Sequence, residues 1–186
     1  GGCLGGLGGE SAPAVRTYAL SGAGAPAASG RGRGALSIAV EELHADAPYD
    51  QRRIVYRASR YRVDYYDDDN WVAAPGVMVA DSLRRAYQSS GRFAMVLSEP
   101  AADTAAILGG RVVAFDEVDE GARRVAHLAV ELELRDAESG RMRWSRRVEE
   151  RVAMTAPSRD ALAAALSRAV AQLAAATAAE IAAAAH

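Results

Sequence analysis

The chain has 186 residues, half of them apolar and a quarter charged, with a formal net charge of −2. That is the length of one domain plus a tail, with the composition of a globular fold and no overall charge to steer it toward nucleic acid. All 22 basic residues are Arg, and the absence of Lys excludes a Walker-type phosphate loop, a Schiff-base enzyme and a kinase catalytic centre.

Residues 1–14 are mostly Gly, Leu, Ala and Ser, with Cys3, Glu10 and Pro13, and show no periodicity, which predicts a flexible tether. A short strand is expected at Arg16–Leu20, then a Gly/Ala/Arg-rich loop from Ser21 to Gly34, with the compact part beginning near Ala35. Leu36, Ile38 and Val40 alternate with Ser37, Ala39 and Glu41, the pattern of a half-buried strand. Short strands follow at Ile54–Tyr56 and Tyr61–Tyr65, and Asp67–Asn70 reads as a turn. Pro75 suits the first turn of a helix whose buried face is Val79, Leu83 and Tyr87 and which stops at Gly91. Phe93, Met95 and Leu97 begin another strand, and Ile107–Val118 is a longer one with a bulge expected at Gly109–Gly110.

The apolar set Leu128, Val130, Leu132 and Leu134 resumes after a turn at Asp136–Gly140 with Met142, Trp144 and Val148. That hairpin sets Glu131 and Glu133 opposite Arg143, Ser145 and Arg147. Ser158 then caps a long helix carrying Leu162, Leu166, Val170 and Leu173 at helical spacing. The order predicts an α+β fold: a single mixed, mostly antiparallel β-sheet packed against two α-helices on one face, behind a flexible N-terminal tether.

The residues with chemical potential are few. Cys3 is the only cysteine and follows Gly1 and Gly2, small residues of the kind that precede a lipidated Cys; a Gly-rich leash follows it. Lipidation of Cys3 is therefore expected, and residues 4–14 as a coil would span roughly 18 Å. Leu4, not Asp, follows, so nothing marks the chain for inner-membrane retention. His44, His127 and His186 lack metal-ligand spacing. Counted from Asp67, an EF-hand loop would need Gly and Glu where Val72 and Met78 stand. No metal, cofactor or catalytic residue is expected. The arginines from Arg141 to Arg151 are interleaved with glutamates across the hairpin, which predicts an ion-paired sheet face and no nucleic-acid partner.

From Leu36 to Phe93 the sequence resembles the ABC-type transport auxiliary lipoprotein family, the PqiC-like proteins. The residues that carry this are Leu36–Leu43, Tyr49-Asp50, Arg53–Arg57, Tyr61–Tyr66, Trp71, Ala74-Pro75 and Ser82–Phe93, with Tyr18–Leu20 fitting the opening strand. The resemblance implies a lipid tether over residues 1–14 and one auxiliary lipoprotein domain over residues 15–186. It also implies a lipoprotein on the periplasmic face of the outer membrane. There it would be a non-enzymatic accessory of an ABC/MCE-type system that moves lipids or other hydrophobic molecules across the periplasm. The implied partners are an MCE-type substrate-binding protein, an ABC permease and ATPase, the membrane through the anchor, and further copies of the chain.

Tyr56, Tyr61, Tyr65 and Trp71 form an aromatic cluster within 16 residues, read first as a packed corner between the sheet and the first helix. With Arg57 they are also the candidate partner-docking set, since Tyr, Trp and Arg are the usual interface anchors. A competing function is a lipid-anchored activator of another envelope machine, such as a cell-wall synthase.

Overall fold

The computed structural model describes residues 14–22 and 34–186. Cys3, nearly all of the expected tether and most of the Ser21–Gly34 loop lie outside the described residues. The fold is built on one long strand. β7 (Thr104–Asp119) pairs along its whole length with β8 (Arg124–Asp136), antiparallel, from Ala106↔Asp136 to Asp119↔Arg124. β8 pairs in turn with β9 (Met142–Ala153).

The other edge of β7 is shared by three short parallel strands. β2 (Ser37–Val40) pairs near its start, β3 (His44–Ala45) in its middle and β4 (Arg53–Arg57) near its end. β2 carries β6 (Met95–Leu97) on its outer side. β4 carries β5 (Val63–Trp71) antiparallel, and β5 carries β1 (Arg16–Tyr18) parallel. The long ladders are antiparallel and the short ones mostly parallel, so the sheet is mixed.

Strand directions put several connections at one end of the sheet. β4, β7 and β9 all run toward it. It therefore holds the β4–β5 hairpin tip, the β7–β8 turn and the start of the second helix. β1 also starts from this side.

Two helices, α1 (Pro75–Ser89) and α2 (Arg159–Ala184), cover the same face and touch each other. Pro75 occupies the first turn of α1, and Val79, Leu83 and Tyr87 are fully buried. Ser158 caps α2, its hydroxyl accepting the Ala161 N–H at 3.2 Å. Leu162, Leu166, Val170, Leu173 and Ile181 are buried, and alanines at 161, 165, 169, 174 and 178 bring the helix close to its neighbours. α2 has the length and composition of a bilayer-spanning helix, but most of that stretch is buried against the sheet and α1; it is a core helix here.

Five expectations change. The sheet begins at β1, ahead of Ala35, because β5 offers it an open edge. Asp67–Asn70 is strand, not turn. Asn70 pairs with β1 and β4 and Asp69 with β1, while Arg16 and Arg53 form ion pairs with Asp69 and Asp67. The irregularity in β7 falls between Val112 and Ala114, while Gly109 and Gly110 keep register with Glu133 and Leu132. β2, expected to be half-buried, is buried at all four positions, Ser37 and Ala39 included. Met95 and Met142, assigned to apolar faces, are exposed at strand ends.

Candidate functional site

β7 contains an adjacent pair, Asp116 and Glu117, within the apolar run Val112–Val118. Neighbouring strand residues face opposite sides, so one carboxylate lies on each side of the sheet. Both are 1% exposed. A buried carboxylate needs charged or hydrogen-bonding partners, and each has a complete set.

On the open face, away from the helices, Asp116 accepts from Tyr49 Oη at 2.5 Å and from Arg57 Nε at 2.7 Å. Arg57 Nη2 also donates to Tyr49 Oη at 2.8 Å. His127 Nδ1 lies 3.2 Å from Asp116, and its Nε2 lies 3.0 Å from Glu149. Burial, followed by the Asp116 charge, pushes the Tyr49 hydroxyl far above its ordinary pKa. On the helix face, Glu117 is held by Arg124 and by Arg159 Nη2 at 3.3 Å. Arg159 lies over the Tyr66 ring at 3.7 Å, and Tyr66 meets Tyr56 at 4.6 Å between ring centroids. The two clusters clamp the β4–β5 hairpin to β7 from both sides.

The five candidate docking residues are dispersed by this arrangement. Tyr56 lies on the helix face under Tyr66. Arg57 is engaged by Asp116 on the open face, and Tyr65 stacks beneath Arg53 at 4.2 Å. Tyr61 stands at the hairpin tip, 88% exposed. Trp71 is 1% exposed and packs edge-on against Phe115 at 5.2 Å, so it is a core residue and offers no surface for docking. The aromatics thus form no single corner against the first helix: Tyr56 and Tyr65 have separate partners, Trp71 is in the core and Tyr61 stands outside. Sequence reasoning missed Asp116 and Glu117, and named Tyr49, Arg57 and His127 without linking them to Asp116. The available signal was the pair of adjacent carboxylates in a strand that is otherwise apolar.

The rest of the open face is a lattice of opposite charges. Arg111 reaches Glu131 at 2.8 Å and Asp46 at 3.3 Å, Arg135 reaches Glu41 at 3.2 Å, and Arg147 reaches Glu131 at 3.2 Å. The Arg111 hydrogen bond holds the Glu131 carboxyl below the usual range. A shallow groove of about 310 Å³ runs through this lattice, lined by Glu42, His44 and Glu133 among others. Among the described residues, no three His, Cys, Asp or Glu side chains converge as a metal site. The arrangement is one of charge satisfaction, with every buried carboxylate of β7 neutralised in place.

The family model for the ABC-type transport auxiliary lipoprotein component matches residues 18–178. A crystal structure of a Xanthomonas campestris protein superposes with a TM-score of 0.71 at 22% identity, covering 85% of this chain and 90% of that one. A second crystal structure, of an uncharacterised protein, gives 0.74 at 18% identity over 91% of this chain and 99% of that one. A PelC dodecamer from Paraburkholderia phytofirmans gives 0.50 at 16% identity, over 80% and 90% of the two chains. At these identities the likeness is one of fold. No curated protein matches the sequence.

Proposed function

The chain belongs to the family of ABC-type transport auxiliary lipoprotein components, and on that premise we propose that it is a non-enzymatic, lipid-anchored accessory of an ABC/MCE-type transport system. It serves the movement of lipids or other hydrophobic molecules across the periplasm. The domain over residues 15–186 rides on the periplasmic face of the outer membrane, tethered through acylated Cys3. Its partners are an MCE-type substrate-binding protein and, through it, the ABC permease and ATPase.

The observation that carries this reading is the family match over 18–178. The closed charge networks around Asp116 and Glu117 support an architectural role, since neither presents a free acid, base or nucleophile to a cavity. The anchor is physically sufficient: each buried acyl CH₂ contributes ~0.8 kcal/mol, so two or more chains hold the protein at the bilayer. The dodecameric state of the PelC relative makes a homo-oligomer part of the proposal.

The test is affinity purification of the full-length lipoprotein from its own cells, together with membrane fractionation of Cys3→Ser. An MCE-type protein co-purifies, the wild type partitions with the outer membrane and the variant is released. Absence of an MCE partner, with unchanged outer-membrane permeability on deletion, overturns the reading. Recovery of a cell-wall synthase would replace it with an activator role.

A further inference from the structure

The β4–β5 hairpin ends in Arg60, Tyr61 and Arg62, beyond the clamps at Arg57 and Tyr56. Its base is fixed to β7 on both faces, so the tip is presented by a rigid support. Tyr61 is 88% exposed, and Arg60 lies 5.8 Å from its ring centroid. Among the described residues Arg60 meets no carboxylate, whereas most other arginines of the sheet are ion-paired. Arg62 pairs with Asp64 but stays largely exposed.

The direction of the chain adds a second observation. Arg16 is level with Asp69, and β1 runs parallel to β5. Going back from Arg16 toward Val15 therefore leads to the same end of the sheet as the hairpin tip. The start of β5 at Val63 lies six residues beyond that level, about 20 Å at strand spacing, and the tip lies just past it. The 11 residues 4–14 can extend to roughly 36–40 Å, so a chain held at Cys3 can bring this end onto the anchoring surface. The β7–β8 turn shares that end, its Arg123 paired with Glu120 at 2.8 Å.

We infer that the Arg60-Tyr61-Arg62 tip is a membrane-contact element that seats this end of the domain on an anionic phospholipid surface. A Tyr ring suits the headgroup level, apolar body inward and hydroxyl in water. Guanidinium groups bind phosphate oxygens through paired N–H donors. One aromatic and two cations bind weakly alone, but the tether raises the local concentration of the surface, so the contact orients the domain without having to hold it. The inference rests on attachment through Cys3, as in the proposed function.

The test makes that attachment chemically. Cys3 is the only thiol, so the full chain can be coupled to maleimide lipid in vesicles whether or not cells acylate it. Reporters are Tyr61→Trp at the tip and Met95→Trp at the opposite end of the sheet, with the native tryptophans as common background. On vesicles of brominated phosphatidylglycerol, Tyr61→Trp emission shifts to the blue and is quenched, while Met95→Trp does not respond. Adding Arg60→Glu and Arg62→Glu removes the effect, as does neutral brominated phosphatidylcholine. Uncoupled Cys3→Ser chain loses roughly thirtyfold in affinity for phosphatidylglycerol vesicles on Arg60→Ala with Arg62→Ala.

Quenching at position 95 instead of 61, no quenching at either, or indifference to lipid charge overturns the inference. So does a Tyr61→Ala variant that loses a protein partner while Tyr61→Trp stays unquenched. Acyl labelling of Cys3 in cells separates the two failures: an acylated chain with a silent tip sinks only this inference, and an unacylated one sinks the proposed anchor.

Discussion

Arg57 Nε donates to Asp116 Oδ2 at 2.7 Å, and the carboxylate it holds is sealed from solvent beneath Tyr49. Removing one partner of a buried pair leaves a charge without compensation, which costs about 3–5 kcal/mol. Arg57 keeps partial access to water, so Arg57→Ala belongs at the lower end, near 3 kcal/mol. Tyr49→Phe removes one hydrogen bond to the same charge and costs about 1.5–3 kcal/mol. Urea midpoints at constant m-value measure both. A loss under 0.5 kcal/mol for Arg57→Ala would show that the pair is not a structural clamp.

The turn between β8 and β9 is expected to respond to acid. Hydrogen bonds from the Ser139 backbone N–H and hydroxyl, then the Arg143 guanidinium, lower the Asp136 pKa from 3.8 to about 2. A carboxyl depressed in the folded state contributes stability above its unfolded pKa, and that contribution is lost as pH falls through the folded value. The turn therefore loosens between about pH 4 and pH 2, with the protection of the Glu138 and Ser139 amides, relative to intrinsic exchange at each pH, falling there while that of the core is unchanged. In Asp136→Asn the same amides have lost that protection already at neutral pH and show no step over that range. An identical acid step in the variant would assign it to another group.

Much of this fold could be read from residue pattern because the pattern was local. The Leu128–Leu134 alternation, the Pro75 and Ser158 starts and the Leu162–Leu173 spacing each state a period that one element satisfies alone. Asp67–Asn70 failed because four polar residues look like a turn until Arg16 and Arg53, 51 and 14 positions from Asp67, are brought alongside. The candidate site failed for a related reason. Tyr56, Arg57, Tyr65 and Trp71 are close in sequence, but strand alternation and the burial of Trp71 distribute them over two faces and the core. Asp116 and Glu117 drew no attention because their partners come from β4, β8, α2 and the loop before β4.

Gly110 separates a required glycine from a tolerated one. Its φ is +143°, and a Cβ there would lie 2.0 Å from the Glu131 carbonyl oxygen, inside the central ladder. Gly121 also has positive φ, at +77°, but a Cβ there meets nothing within 4 Å. Gly121→Ala should cost about 1–2 kcal/mol, the strain of the left-handed backbone alone. Gly110→Ala must displace β8 from β7 as well and is expected to abolish soluble expression or native near-UV circular dichroism. Equal losses for the two variants would mean that the close approach to Glu131 relaxes freely.

The last prediction concerns the joint between the helices. Tyr87 Oη and Thr177 Oγ1 lie 2.7 Å apart, both buried, and Thr177 Oγ1 also bonds the Leu173 carbonyl oxygen at 2.9 Å. Burial pushes the Tyr87 hydroxyl well above its ordinary pKa, so it stays a neutral donor. Thr177→Val leaves that hydroxyl without its partner in an apolar core, a loss of about 1–3 kcal/mol. Tyr87→Phe leaves Thr177 its backbone bond to Leu173 and should cost less. With both changed, neither polar group remains unpaired, and the double variant should be more stable than the sum of the single losses by 0.5 kcal/mol or more. A thermodynamic cycle from urea denaturation reads this coupling. Strict additivity would show that the two hydroxyls do not act on each other, and that α1 and α2 are joined by apolar packing alone.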